Sequence, residues 1–393
     1  MEPTAQSAYR PPIYVLPVIV LAQFCGTSLW FAPNGVMEPL IAAYGLSEQA
    51  LGHLTAAVQL GFIGGTLVFA LLTLADRFSP SRLFLVCALL GALCNAGMVL
   101  PGQTLPSLLL LRLATGFFLA GIYPVGMKIA SDYYREGLGT SLGYLVGALV
   151  LGTALPHLLR WGQFSPAWET VVGITSGLAA VGGMCIAFLP DGPYHKPMPV
   201  LDTKTMMRVF QNREFQAAAF GYFGHMWELY TLWAFVPVLL AMHPEAGSQG
   251  FISLWSFLIL AIGGPACVLA GYLARVRGEK NVARLALIAS GVCCLLVPFA
   301  LAWDLPYFLA FLLFWGAVVI ADSPLFSTLV ARNAPPDSKG TALTVVTSVG
   351  FAITILSLES LSALRTLWEG PAGFSLLVLG PVLGVFALWR SVK

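Results

Sequence analysis

Apolar stretches follow one another along this chain from Ile13 to Trp389, and polar residues gather in the short gaps between them. A helix needs roughly 20 apolar residues to cross a bilayer, and these stretches have that length. Long uncharged runs with little two-residue alternation predict helices rather than the strands of a membrane barrel. Turn residues mark the gaps and predict twelve spans, at 13–34, 50–75, 83–100, 107–131, 138–158, 170–189, 215–242, 250–274, 283–303, 305–331, 340–364 and 371–389. A polar segment with His195, Lys196, Lys204, Arg208 and Arg213 separates the sixth span from the seventh. The chain therefore divides into a tail (1–12), a first half (13–189), a central loop (190–214) and a second half (215–393).

The second half repeats the first. Leu74-Ala75 matches Leu273-Ala274 at an offset of 199, Gly116 and Pro124 match Gly316 and Pro324 at 200, and Gly139-Thr140 matches Gly340-Thr341 at 201. Each pair keeps its place within a span. The fold class expected is an all-α polytopic membrane protein with two six-helix, pseudo-symmetric halves related by an axis along the membrane normal and a cavity between them. Basic residues set the expected orientation. With the N-terminus inside, sixteen of the 20 Lys and Arg fall on the cytoplasmic side, and only Arg160 and Arg365 fall outside. Both termini are expected in the cytoplasm of a cell whose inner (plasma) membrane holds the protein.

Composition sharpens this picture by exclusion. The chain is 58% hydrophobic and 10% charged, with a mean hydropathy of +0.83, whereas soluble domains carry about 25% charged residues. A net charge of +2 without a basic stripe gives no footprint for nucleic acid. No Gly-x-x-x-x-Gly-Lys-Ser/Thr loop is present to bind ATP, and no His-Glu-x-x-His or Gly-x-Ser-x-Gly motif points to an enzyme. All seven cysteines lie inside apolar spans and read as packing residues without metal-type spacing. The first span lacks a preceding small-residue cleavage site and reads as retained. The expected partners are a small-molecule solute and the lipid bilayer around a monomer. No cofactor or metal is expected, and a proton gradient is the expected driving force.

Charges inside the spans carry the candidate chemistry. An ionisable side chain deep in hydrocarbon costs at least about 2.5–3.5 kcal/mol, so each needs a reason. The candidates are Arg112, Lys128, His225, Glu228, Asp322 and Glu359. His225 and Glu228 are three apart on one helical face midway along the seventh span, where they could exchange a proton or where Glu228 could simply brace helices. Arg112 keeps its proton and must face water, an acid or an anion. Asp322 precedes Ser323-Pro324, whose proline frees a backbone carbonyl; solute contact and helix bracing both fit it. Glu359 is expected to reach Arg365, and Asp132 to sit solvated at the cytoplasmic surface. Trp30, Asn34, Gln59, Tyr123, Trp227 and Tyr230 are candidate cavity residues, with Gln23 beside them.

Leu74-Ala75-Asp76-Arg77 resembles the second-to-third loop signature of the major facilitator superfamily, with Leu72, Ser79 and Pro80 replacing two glycines and a basic residue of that pattern. Gly271-Tyr-Leu-Ala-Arg-Val-Arg-Gly-Glu-Lys280 resembles its counterpart in the second half. Leu111-Arg112 with Gly116, and Asp132-Tyr-Tyr-Arg135, are similar to the fourth-helix and fourth-to-fifth loop signatures. The resemblance implies transport by rocking of two halves. It also implies a cytoplasmic gate at Asp76, Arg77, Asp132 and Arg135, and proton coupling through Arg112 alongside Glu228 and His225. The resulting expectation is a proton-coupled secondary transporter taking up a small polar or amphipathic solute. The alternatives are a drug:proton efflux antiporter, a copper or other metal carrier using His225 and Met226, and a transport-dead sensor. The fifth span lacks the Gly-Pro-x-x-Gly-Gly core of drug antiporters, and the arginine positions of nitrate carriers are absent from the second and eighth spans.

Overall fold

Inside a bilayer every peptide N–H and C=O must find its partner within the chain, and helices meet this demand locally. The computed structural model describes residues 10–134, 138–161, 167–195, 210–334, 339–367 and 370–390, and among them there are helices and turns but no strands. The spanning helices, numbered in order, are α1 (Val15–Thr27), α2 (Ala50–Leu71), α3 (Pro80–Ala96), α4 (Leu105–Tyr133), α5 (Leu138–Leu159) and α6 (Trp168–Ala187). The second half holds α7 (Arg213–Ala241), α8 (Gln249–Arg277), α9 (Glu279–Ala300), α10 (Leu305–Asn333), α11 (Lys339–Leu367) and α12 (Leu379–Arg390), the last entered through a 3₁₀ segment, Pro371–Val378. Among the described residues ten spans are long and apolar enough to cross on their own; α7 and the shorter α1 complete the twelve. The start of α1 and the end of α12 therefore lie on one face, called here the terminal face; the other is the far face.

α1 departs from expectation. Its helix stops at Thr27, and residues 28–33 run as turns into a 3₁₀ segment, Asn34–Val36. The Thr27 and Ser28 hydroxyls donate back to the carbonyls of Gln23 (2.8 Å) and Cys25 (2.7 Å), offering the backbone an alternative to continued helix.

The repeat seen in the sequence is a repeat in packing. A Cβ on Gly116 of α4 would lie 2.0 Å from the Val58 carbonyl oxygen of α2, and one on Gly316 of α10 would lie 2.1 Å from the Ile259 carbonyl oxygen of α8. Both contacting pairs are related by the same offset of about 200 residues. Only glycine lets these backbones touch. Gly116→Val is expected to cost about 1–3 kcal/mol by forcing α2 and α4 apart, read as a lower melting temperature in detergent; Gly271→Val, with nothing within 4 Å, is the silent control.

α4 and α10 share a second device. α4 is two rods, Leu105–Leu119 and Tyr123–Tyr133, and α10 is two rods, Leu305–Ala321 and Ser323–Asn333. Pro124 and Pro324 occupy the first turn of each lower rod and supply no N–H. In α10 the carbonyl of Ile320, four residues before Pro324, accepts from the Cys267 thiol of α8 at 3.4 Å.

The halves meet chiefly along α2 against α11 and α5 against α8. Gly52 of α2 packs on Ser362 of α11 near the far face, where a Cβ would come within 3.0 Å of that serine. On the terminal face the ion pairs Lys280–Glu214 and Arg332–Glu279 each stay within the second half. Near the far face the halves are joined by the Gly52–Ser362 contact.

Candidate intramembrane site

The bend after α1 and the middles of α2, α7 and α11 bring aromatic rings together between the halves. Trp30 of the bend stacks on Phe351 of α11, with centroids 5.6 Å apart and planes 22° apart, and lies 5.8 Å from Tyr230 of α7. Phe62 of α2 is 4.8 Å from Trp30 and 4.6 Å from Phe351. Tyr123, at the start of the lower rod of α4, meets Trp30 edge-on at 6.4 Å. Trp30, Phe62, Tyr230 and Phe351 are buried, so this is a dry seam joining the two halves. Trp30 donates its indole N–H to Gln59 Oε1 at 3.3 Å, while Gln59 Nε2 and both amide atoms of Gln23 are buried without partners.

Towards the terminal face from the seam lies a fully buried acid–base pair. His225 Nδ1 of α7 and Asp322 Oδ1 at the break in α10 are 2.8 Å apart, and each side chain is 1% exposed. The distance is that of an ion pair, but the alignment falls short of a straight hydrogen bond, and His225 Nε2 has no partner. Tyr222 and Phe326 flank the imidazole at 6.0 and 6.1 Å. Asp322 is where the upper rod of α10 ends and the lower rod begins, so it is presented by the interruption rather than by a regular helix.

Glu228 does not meet His225 as the spacing on α7 predicts. One oxygen accepts from Trp315 Nε1 of α10 at 2.6 Å and lies 3.4 Å from the Cys294 thiol of α9; the other accepts from Ser290 Oγ at 2.9 Å. All of its donors lie in the second half, and they tie α7, α9 and α10 together. Two side chains three residues apart diverge by about 60° around a helix axis, which sends each to a different neighbour.

Arg112 is wholly buried at the α1 bend. Its Nη1 donates to the Leu29 carbonyl at 3.0 Å and its Nη2 to the Trp30 carbonyl. The fork thus satisfies carbonyls of the turns just beyond the C-terminal end of α1, where the helical ladder no longer supplies partners. Asn34 likewise donates to Thr55 Oγ1 of α2 at 3.0 Å, and Trp227 donates to the Leu376 carbonyl at 3.2 Å, within their own halves.

At the terminal face Asp132 is buried, not solvated: its carboxylate lies 2.8 Å from His195 Nδ1 and 3.6 Å from Lys128 Nζ. The chain after α6 folds back over it, and Tyr194 N–H donates to the Asp132 carbonyl. Arg77 is exposed at the end of a one-turn helix, Leu74–Arg77; the side chain of Asp76 and the whole of Arg135 lie outside the described residues.

Glu359 is not with Arg365. It meets His53 of α2 at 3.0 Å, across the boundary between the halves, with both side chains a little over one-third exposed. His53 carried no signal in the sequence beyond its place in the first turn of a span. A far-face cavity of about 520 Å³ is also lined from both halves, by Glu48 and Gln49 on one side and Phe235, Ser362 and Arg365 on the other. A half-exposed ion pair contributes up to about 1 kcal/mol, so His53→Gln is expected to favour far-face opening by up to about fivefold. The measurement is labelling of Ser362→Cys by an impermeant maleimide, which should quicken in the His53→Gln background.

Two pseudo-symmetric six-helix halves, joined by an aromatic seam and each holding ionisable side chains at mid-depth, define a membrane carrier of small solutes rather than an enzyme. The chain belongs to the Major Facilitator Superfamily, whose family model matches residues 19–358. It is 23% identical over 215 residues to the galacturonate transporter of Dickeya chrysanthemi, covering 47% of this chain and 59% of that protein. It is 28% identical over 130 residues to the 3-(3-hydroxy-phenyl)propionate transporter of Escherichia coli (strain K12), covering 33% of this chain and 32% of that one. The chain thus spans about a third to three-fifths of these curated relatives. In three dimensions it is similar to the inward open xylose transporter XylE from E. coli, with a TM-score of 0.77, 15% identity, and coverage of 96% of both chains.

Proposed function

We propose that the protein is a proton-coupled secondary transporter that takes up a small solute by alternating access. The terminal face lies in the cytoplasm, as the Lys and Arg distribution implies, so the far-face seam is the closed outer gate. The observation that carries this reading is the His225–Asp322 pair, 2.8 Å apart and buried, joining α7 to the break in α10. A carboxylate and an imidazole held together in hydrocarbon are stable as a neutral pair or as an internally compensated one, and a proton added from either side changes the charge of the whole. Arg112 and Glu228 belong to the scaffold: one satisfies a helix end, the other a three-helix junction. The seam of Trp30, Phe62, Tyr230 and Phe351 must part before the solute site opens outward. The Asp132–His195 contact ties the start of the central loop to α4, which supports a role for Asp132 in a cytoplasmic gate.

The test uses the purified full chain in sealed vesicles with a pH-sensitive dye inside. Addition of transported solute should move protons in the same direction as the solute. Solute flux with no accompanying proton movement would overturn the coupling and leave a uniporter.

A further inference from the structure

The solute's charge can be read from which buried cations are already engaged. A carboxylate arriving at mid-membrane needs a cation that is free to receive it. Among the described residues, the buried Lys and Arg of the spans are Arg112 and Lys128. The two terminal nitrogens of Arg112, the fork that would grip a carboxylate, are engaged by the Leu29 and Trp30 carbonyls; its Nε alone lacks a partner, and the side chain has no exposed surface. Lys128 sits 3.6 Å from Asp132 with both side chains under a tenth exposed. The remaining candidate, His225, faces a carboxylate already. A second carboxylate brought beside Asp322 would meet like charge.

What the seam does offer is neutral. Five aromatic rings, Trp30, Phe62 and Tyr123 from the first half and Tyr230 and Phe351 from the second, gather with linked centroids 4.6 to 6.4 Å apart. Next to them are amide groups with hydrogen-bonding capacity unspent. Gln59 Nε2, on the amide whose oxygen holds the Trp30 indole, has no partner, and Gln23 has none at either amide atom, though both side chains are fully buried. The Gln23 amide lies over Gly126 of α4, one turn beyond Tyr123, where a Cβ would come within 2.2 Å of its oxygen. Buried polar groups are ordinarily paired, so unpaired amides beside a seam that must open mark where a solute's own donors and acceptors belong. Flat apolar faces with neutral amides suit a ring that carries hydroxyls, since C–H faces stack on aromatic rings and hydroxyls pair with amides.

We infer that the solute is an uncharged, hydroxylated ring compound, held by the aromatic seam together with Gln59 and Gln23, and not a carboxylate. This rests on the carrier reading above and adds the charge class of its cargo. It separates the chain from the two acid transporters it partly matches.

The experiment compares molecules that differ only in the charged group. Binding to the purified full chain is followed by tryptophan fluorescence and by thermal stabilisation at neutral pH. The probes are D-galactose against D-galacturonate, 3-(3-hydroxyphenyl)propan-1-ol against 3-(3-hydroxyphenyl)propionate, and myo-inositol and uridine as further neutral rings. The expected result is that a neutral member binds at least tenfold tighter than its acid partner, or that inositol or uridine binds and both acids do not. Gln59→Leu, checked as monodisperse by gel filtration, should then weaken that neutral ligand about tenfold. Tighter binding by either acid overturns the inference, as does the absence of binding by every neutral probe, and so does an unchanged affinity in Gln59→Leu. Proton movement is measured separately in vesicles, so a neutral ligand that binds and moves without protons would refute the coupling and leave this assignment standing.

Discussion

With asparagine in place of Asp322, solute should still bind and exchange across the vesicle membrane, but its accumulation against a gradient should fall to the equilibrative level. Asparagine keeps the shape and a hydrogen-bonding oxygen at the break in α10 but takes no proton in the working pH range. His225 is then left beside a neutral amide in place of its acid. The expected size is a loss of proton-driven uptake of at least about tenfold, the rate equivalent of roughly 1.4 kcal/mol. Counterflow, which needs no driving force, should persist. Glu228→Gln is the companion variant, and its expected defect differs: a lower melting temperature from weakening the Trp315, Ser290 and Cys294 contacts, with proton coupling intact in the folded fraction. If Glu228→Gln uncouples transport and Asp322→Asn does not, the proton site lies at Glu228 instead.

The second large effect is expected at Arg112. Arg112→Lys replaces a planar fork by a single ammonium, which cannot reach both the Leu29 and Trp30 carbonyls in the same geometry. Hydrogen bonds to a charged group contribute about 1.5–3 kcal/mol each, so losing one and distorting the other should destabilise the protein by about 2–4 kcal/mol. The checks are a melting curve in detergent and the ratio of protons to solute in vesicles. Stability should fall and the ratio should hold. An unchanged melting temperature with a changed ratio would place Arg112 in the proton path.

These two residues also show how far the sequence reaches. The spans and the repeat were legible because a bilayer imposes length, hydropathy and pairing on every segment, and because Gly116, Pro124, Gly316 and Pro324 keep their places. The candidate residues were legible as well, since an ionisable side chain stands out in an apolar run. Their partners were not. His225 finds Asp322 nearly 100 positions away, Glu359 finds His53, and Asp132 finds His195. Local spacing ties His225 to Glu228, yet the partner is set by how α7 is rotated against α9 and α10, which no periodicity within α7 encodes. Arg112 was harder still, because its partners are backbone carbonyls exposed where α1 ends early, and carbonyls carry no residue signature. Phe62 and Phe351 were lost among the 25 phenylalanines of an apolar chain until the fold brought their rings within 4.6 Å of each other.

The matched breaks in α4 and α10 divide each half mechanically. Above the break, glycine contacts such as Gly116 on α2 and Gly316 on α8 weld the upper rods to their neighbours. Below it, the lower rods of eleven residues each are joined to the upper ones through a proline-weakened pivot. The two halves are not equal in this respect. The pivot of α4 has an isoleucine, Ile122, at the position where α10 has Asp322, so only one of the two levers has a titratable bearing. Asp322 stands at the positive end of its lower rod without capping it by a hydrogen bond, so in the proposed cycle neutralising a charge there would weaken an electrostatic attraction to that rod alone. Proton loading would then act as torque on one side of a nominally symmetric machine, and the asymmetry would give the cycle its sense of rotation.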